Sequence, residues 1–265
     1  MIQERQYWVD CVRRERYMGQ MFDFTHTAYI IISLSITGSF VYFGSTKIKS
    51  QGNKDIVLKF FALATFFLHT SVLWVDFLKN GQAMVPDNVL FPIYFCNLSM
   101  YMLVIVAFMG NKSSKWFKWL AIMASYGGIF GALISLFYPV YYLGAPSMFE
   151  WGVFKSMVSH STMLAGGLWL LANRYFKIST QNIVVYFIGL LWYGLIGIFV
   201  NFLFKVNGLH DPNAMYLQHP PLEDVPYLNA VTISILMCLI MYVTIKSFEW
   251  AHKKSLQKNM TLSKA

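Results

Sequence analysis

Cys96 stands in "FPIYFCNLSMY" (residues 91–101), beside Asn97 and Ser99 and one turn after Pro92. A free cysteine in an apolar run usually serves packing. Cys238, in "ILMCLIM", has only aliphatic neighbours and reads that way. Cys96 differs. A proline frees a backbone carbonyl that other groups must satisfy, which opens a polar niche. A thiol is a nucleophile only as thiolate, so it needs a nearby base or positive charge. His160 is the candidate base. Gly152, Ser156, Ser159, His160, Met163 and Gly167 fall on one stripe at helical spacing around "VSHSTMLAGG". A neutral imidazole can take a proton near pH 7. The competing reading is a histidine that ties two helices by a hydrogen bond.

The remaining polar residues rank lower. His26, in "FDFTHTAYI", lies near a span end, where a histidine costs little; with Asn97 it is a candidate donor to an oxyanion. His69, in "FFLHTSVLW", reads as a bridge between helices. Lys59 and Lys155 lie near span ends and are expected to snorkel. Gly127, Gly128, Gly131 and Ala132 in "ASYGGIFGALIS", like Gly189, Gly194 and Gly197, read as close helix packing. No strand precedes them and no Lys-Ser/Thr pair follows, so they are not a phosphate loop. Cys11, Cys96 and Cys238 are too far apart for a metal motif or a disulfide framework. Neither cofactor nor metal is expected.

These residues need a membrane scaffold. The 265 residues are 57% hydrophobic, 18% aromatic and only 12% charged, and the mean hydropathy is +0.49. Soluble domains run near 25% charged. The net charge of +9 is spread between apolar runs. That suits orientation signals and lipid headgroups, and it lacks the continuous basic face of a nucleic-acid binder. Seven stretches of roughly 20 apolar residues qualify as spans: 24–44, 56–78, 89–109, 116–138, 151–173, 183–204 and 227–247. The fold class is therefore all-α: a polytopic membrane protein with seven transmembrane helices. Residues 1–20 are too charged for a secretory leader.

Lys and Arg near span ends set the orientation. Thirteen fall in segments 45–55, 110–118 and 174–182 and the C-terminal tail, against six on the other side. The N-terminus is expected outside and the C-terminus in the cytoplasm. Residues 1–23 form an amphipathic N-terminal segment, with a surface helix over 3–19. Residues 24–247 form the seven-helix domain, and 248–265 a basic cytoplasmic tail. In that frame Cys96 and His160 both lie about 10–14 Å below the outer surface. His26, Asp76 and the longest loop, 205–227, share that side. Four prolines (Pro212, Pro220, Pro221 and Pro226) stiffen the loop, which is expected to close over the site. Asn213, Tyr216 and His219 are its candidate headgroup contacts.

"LFPIYFCNLSMYML", "YGGIFGALISLFYP", "VSHSTMLAGGLWLL" and "NAMYLQHPP" together resemble the bacterial YwaF-type family of integral membrane proteins, across nearly the whole chain. That family is distantly similar to an animal transmembrane acyltransferase that places polyunsaturated chains on ether phospholipids. The link rests on Pro92, Cys96 and His160, a Pro-x-x-x-Cys element followed by a His in a later span. The resemblance implies a seven-span fold and a thioester-forming Cys96.

The resulting expectation is a multi-pass cell-membrane acyltransferase. Cys96 and His160 are its catalytic pair; His26, Asn97, Ser99, Asn213, Tyr216 and His219 contact substrate. Its partners are phospholipid or lipidated acyl donors and acceptors, without nucleic acid. The alternative is a seven-helix transporter or ligand sensor without covalent catalysis. It is weakened by the lack of a mid-span acid to couple ions. A rhodopsin-like reading fails because the last span has no lysine before Lys246.

Overall fold

A computed structural model describes residues 19–80, 91–209, 211–221 and 225–262. Seven α-helices follow one another: α1 (Phe24–Lys47), α2 (Gln51–Asn80), α3 (Phe95–Phe108), α4 (Lys115–Phe137), α5 (Trp151–Ala172), α6 (Gln181–Val206) and α7 (Ala230–Leu262). A 3-10 turn, Ala214–Tyr216, interrupts the α6–α7 connection. The described residues contain no strand. The surface helix expected over residues 3–19 falls outside the described residues but for its last one.

Five of the helices are long and apolar enough to cross a membrane: α1, α2 through Val75, α4, α6 and α7 through Ser247. Their outward faces carry large apolar side chains, such as Ile36, Phe67, Trp192 and Leu239. In water such faces would be a liability; in lipid they are the solvent-facing surface. α5 is the opposite case. Its polar residues turn inward: Lys155, Ser156, Ser159 and His160 are all buried. It packs against α1, α2 and α4. A polar face is tolerable in a bilayer only when turned inward, and that places α5 at the centre.

Small residues set the close crossings. A Cβ on Gly167 of α5 would come within 2.7 Å of the Ser125 carbonyl oxygen, and Ser125 Oγ donates to the Gly167 carbonyl at 2.8 Å. On the other flank of α4, Gly131 lies under Phe95 and the Cys96 backbone, where a Cβ would be 3.2 and 3.4 Å away. α4 thus packs on both the Cys96 helix and the His160 helix, and those two also touch directly, Leu103 of α3 lying against Gly166 of α5. Gly189 and Gly197 also face packed side chains, whereas Gly194 faces open space.

α3 departs from the sequence reading. Of the expected span 89–109, the described residues are helical only over Phe95–Phe108, and residues 91–94 are irregular. Pro92 disfavours helix at Phe91 and has no N–H to donate. The remaining 14 residues rise about 21 Å, short of a hydrocarbon core of about 30 Å. Cys96 therefore lies in the first turn of its helix, not two turns in. The last helix departs the other way, running through Leu262 into the segment expected to be a tail.

Candidate functional site

One end of the bundle gathers the start of α1, α3 and α5, the segment after α4 and the 3-10 turn. At α1, Asp23 is the N-cap. Its carboxylate accepts from the backbone N–H of His26 at 2.7 Å and of Gln20 at 3.0 Å, and from the Tyr142 hydroxyl at 2.7 Å. Burial pushes the Asp23 carboxyl up, but those three bonds outweigh it and hold the group below the usual range. Burial and the Asp23 charge push the Tyr142 phenol up to about 12.

His26 is fully buried. Its Nε2 lies 2.8 Å from the Leu136 carbonyl oxygen, which can only accept, so Nε2 carries the proton. Its Nδ1 accepts from the Phe22 N–H at 2.9 Å. Both ring nitrogens are thus bonded, Nε2 pinning α1 to the end of α4 and Nδ1 holding the residue just before α1, and neither is left for an oxyanion.

The carbonyls around Pro92 find partners. Phe91 accepts from the Ile93 N–H at 2.8 Å and from Asn97 Nδ2 at 3.3 Å. Ile93 accepts from the Met215 N–H at 2.8 Å. Non-helical backbone at membrane depth survives where protein buries it, and here the 3-10 turn does so. Asn201 of α6 fastens that turn, its Oδ1 accepting from the Ala214 N–H at 2.8 Å. Asn213, Met215 and Tyr216 have left-handed backbone, with φ of 44°, 55° and 54°. Such conformations in non-glycine residues cost energy and gather at functional sites.

The turn brings Tyr216 over the Cys96 end of α3. Its ring meets Tyr94 at 5.8 Å. Burial raises its phenol, as does its closeness to Tyr94, Cys96, Tyr138 and Tyr141. Asn213 and His219 are placed differently. Asn213 Oδ1 accepts from the backbone N–H of Gln218 and His219, both at 3.0 Å, and its Nδ2 donates to the His219 carbonyl. The His219 side chain is exposed, 3.6 Å from Asp211. These two shape the loop, whereas Tyr216 packs on Tyr94 at the Cys96 end of α3.

Cys96 borders the apolar cluster of Met100, Ala132, Leu136, Met163 and Leu164. Its thiol donates to Asn97 Oδ1 at 3.4 Å, and Ser135 of α4 faces it. Asn97 is 1% exposed and joins the thiol to the Phe91 carbonyl. Ser99 is turned toward Gly127 and donates to the Phe95 carbonyl at 2.9 Å.

His160 Nδ1 lies 2.6 Å from the Ser156 carbonyl oxygen. A carbonyl only accepts, so Nδ1 carries the proton of the neutral ring and Nε2 presents a lone pair. That is the tautomer a general base needs. No hydrogen bond joins Cys96 to His160. Lys155 relates them: it acts electrostatically on Cys96, His160 and His69.

Lys155 is the residue that the sequence reading missed. Snorkelling was expected; instead its side chain is among the largest fully buried ones, 2% exposed, with the ammonium 5.0 Å from the Tyr141 ring centre. A lysine four residues into a span fits both outcomes in sequence, and only the packing of α2 and the 138–150 segment over it decides. His69 joins no helices by hydrogen bond: its Nε2 is buried and unpartnered among the described residues. The Asp76 side chain is outside the described residues. No group of three metal-ligating side chains occurs among those described.

The model of the TMEM164 family matches residues 21–250. No curated protein and no solved structure matches the chain. The chain belongs to the TMEM164 family, and it is a membrane protein built on apolar helices.

Proposed function

We propose that this TMEM164-family chain is an acyltransferase that moves a fatty acyl chain between lipid or lipidated substrates, with Cys96 as nucleophile and His160 as general base. The likeness of its segments to the YwaF-type family, and through it to the ether-phospholipid acyltransferase, belongs to this reading. The observation that carries it is the buried His160 imidazole, whose Nδ1 is engaged by the Ser156 carbonyl so that Nε2 presents its lone pair, on a helix that packs against the Pro-broken one bearing the thiol.

In the first half-reaction the Cys96 proton passes to His160 Nε2 and sulfur attacks the acyl carbonyl. The S–C bond forms, the ester C–O bond breaks, and the departing oxygen takes the proton from the imidazolium. In the second, His160 removes the proton of an acceptor hydroxyl, which attacks the thioester and releases the thiol. Asn97 Nδ2 and the Ser135 hydroxyl are candidate donors to the oxyanion. Catalytic hydrogen bonds are often long before substrate binds, and in this reading the thiol and imidazole close on each other when it does. The site belongs to the outer leaflet, from the Lys/Arg bias, in the cell membrane.

The test is covalent capture. Purified protein incubated with phospholipid bearing an alkyne-tagged acyl chain should acquire a hydroxylamine-sensitive label on Cys96. Wild-type protein that stays unlabelled under turnover conditions would move the reading to transport or sensing.

A further inference from the structure

We propose that the 3-10 turn is a strap that holds the start of α3 unwound, and that its release lets residues 92–94 wind onto the helix and closes the backbone donors beside Cys96. The Ile93 carbonyl is the point of contest. It accepts from the Met215 N–H of the strap at 2.8 Å. With α3 one turn longer, the same oxygen would accept from the Asn97 N–H, four residues on. In this structure that N–H turns instead to the Tyr94 carbonyl, three residues back, at 3.0 Å. One acceptor thus has two rival donors, and the strap supplies the one that holds it.

Local sequence permits the longer helix. Proline suits the first position of a helix, where its missing N–H would have no partner, and the residue before it favours the extended backbone of an N-cap. Tyr94 is the N-cap here, with φ −101° and ψ 154°, and its side chain makes no capping bond. The Phe95 and Cys96 N–H groups have no backbone acceptor among the described residues. Winding would give them the Phe91 and Pro92 carbonyls. Adding three residues to the present 14 would bring α3 to about 25 Å, nearer a hydrocarbon core of about 30 Å. The left-handed backbone at Asn213, Met215 and Tyr216 pushes the same way, against docking. Asn201, the packing of Met215 and Leu217 on Gly197, and the Tyr216 ring on Tyr94 hold the strap down. With the strap docked, the Cys96 N–H stands open to an oxyanion on the carbon that its own thiol attacks; once wound, it is spent on Pro92. This regulatory half rests on the acyl-transfer reading, whereas the coupling of strap to helix does not.

The test is solid-state NMR of the full-length protein in lipid bilayers, carbon-labelled at isoleucine and tyrosine. In wild type, Ile93 and Tyr94 should show non-helical Cα shifts. In Asn201→Ala both should move to helical values while the Met215 amide exchanges faster. Gly197→Ala should do the same, because its Cβ would lie 2.8 Å from Leu217 and Met215 side-chain atoms, and it serves alone if Asn201→Ala does not fold. Simple loosening would leave Ile93 and Tyr94 irregular, and that result with Met215 released would overturn the proposal. So would helical shifts in wild type, or Met215 exchange unchanged in both variants. Labelling of Cys96 by the alkyne-tagged phospholipid should fall about tenfold or more in the released variants, since one lost oxyanion donor costs about 10²–10³ in rate. Faster labelling would make the strap a lid and overturn the regulatory half. Winding on release, in a protein whose wild type never labels Cys96, would keep the coupling and reject acyl transfer.

Discussion

Asn201→Ala should release the 3-10 turn from the bundle without unfolding it. Asn201 Oδ1 accepts from the Ala214 N–H at 2.8 Å, and its Nδ2 lies 3.5 Å from the Ala214 carbonyl. Ala214 is fully buried, so truncation strands a backbone donor where water cannot reach it. That costs about 1–3 kcal/mol. The left-handed backbone at Asn213, Met215 and Tyr216 already opposes docking. What remains on the docked side is the Met215 N–H bond to Ile93, the packing of Met215 and Leu217 on Gly197 and the Tyr216 ring against Tyr94. Opening of the turn should become roughly 5- to 150-fold more frequent, at 1.4 kcal/mol per tenfold. The assay is amide hydrogen exchange in a nanodisc. Met215 should exchange faster by that factor, while amides in α4 and α5 stay protected. Unchanged exchange at Met215 would refute the claim that Asn201 fastens the turn; uniform loss of protection would refute the claim that the turn opens alone.

Gly167→Ala should lower the melting temperature, because its Cβ would press on the Ser125 carbonyl oxygen at 2.7 Å, and overpacking costs typically 1–3 kcal/mol. Gly194→Ala, facing open space, should raise it, through a gain of up to about 1 kcal/mol of helix propensity; equal shifts in thermal melts would contradict the crossing described for α4 and α5. Asp23→Ala should destabilise by about 1 kcal/mol at pH 7 through loss of the cap. The folded carboxyl titrates below its ordinary value of 3.8, so this stabilisation is present above that value and fades as pH falls through the lower folded one. A wild-type-to-variant gap that stays constant from neutral pH to about 3 would speak against it. His160→Ala should abolish acyl transfer, and restored turnover on adding imidazole would support the base role; wild-type turnover in the variant would remove it.

Much of the fold was legible because a bilayer simplifies the code: seven apolar runs became seven helices. Where α3 begins was not, since Pro92 only removes helical options. The carbonyls it frees are answered by Met215 and Asn97, one of them more than a hundred residues away. The stripe on α5 was visible in its spacing, and burial of Ser156, Ser159, His160 and Met163 fits it. Lys155 was not, because a cation near a span end can snorkel or be covered, and the cover comes from other elements. His26 read in sequence as an available ring, but its two hydrogen bonds reach Phe22 and, across the bundle, Leu136. Tyr216 is set apart from Asn213 and His219 by its packing on Tyr94, a contact between distant segments that no local sequence rule foretells.

The central claim is that Cys96 carries the acyl chain. The direct measurement is tandem mass spectrometry of peptides from wild-type protein and from Cys96→Ala and Cys238→Ala variants, each trapped during turnover on native membrane phospholipids. The account predicts an acyl thioester on Cys96 in wild type and Cys238→Ala, and neither adduct nor turnover in Cys96→Ala. Full turnover by Cys96→Ala, with the protein folded, would contradict it.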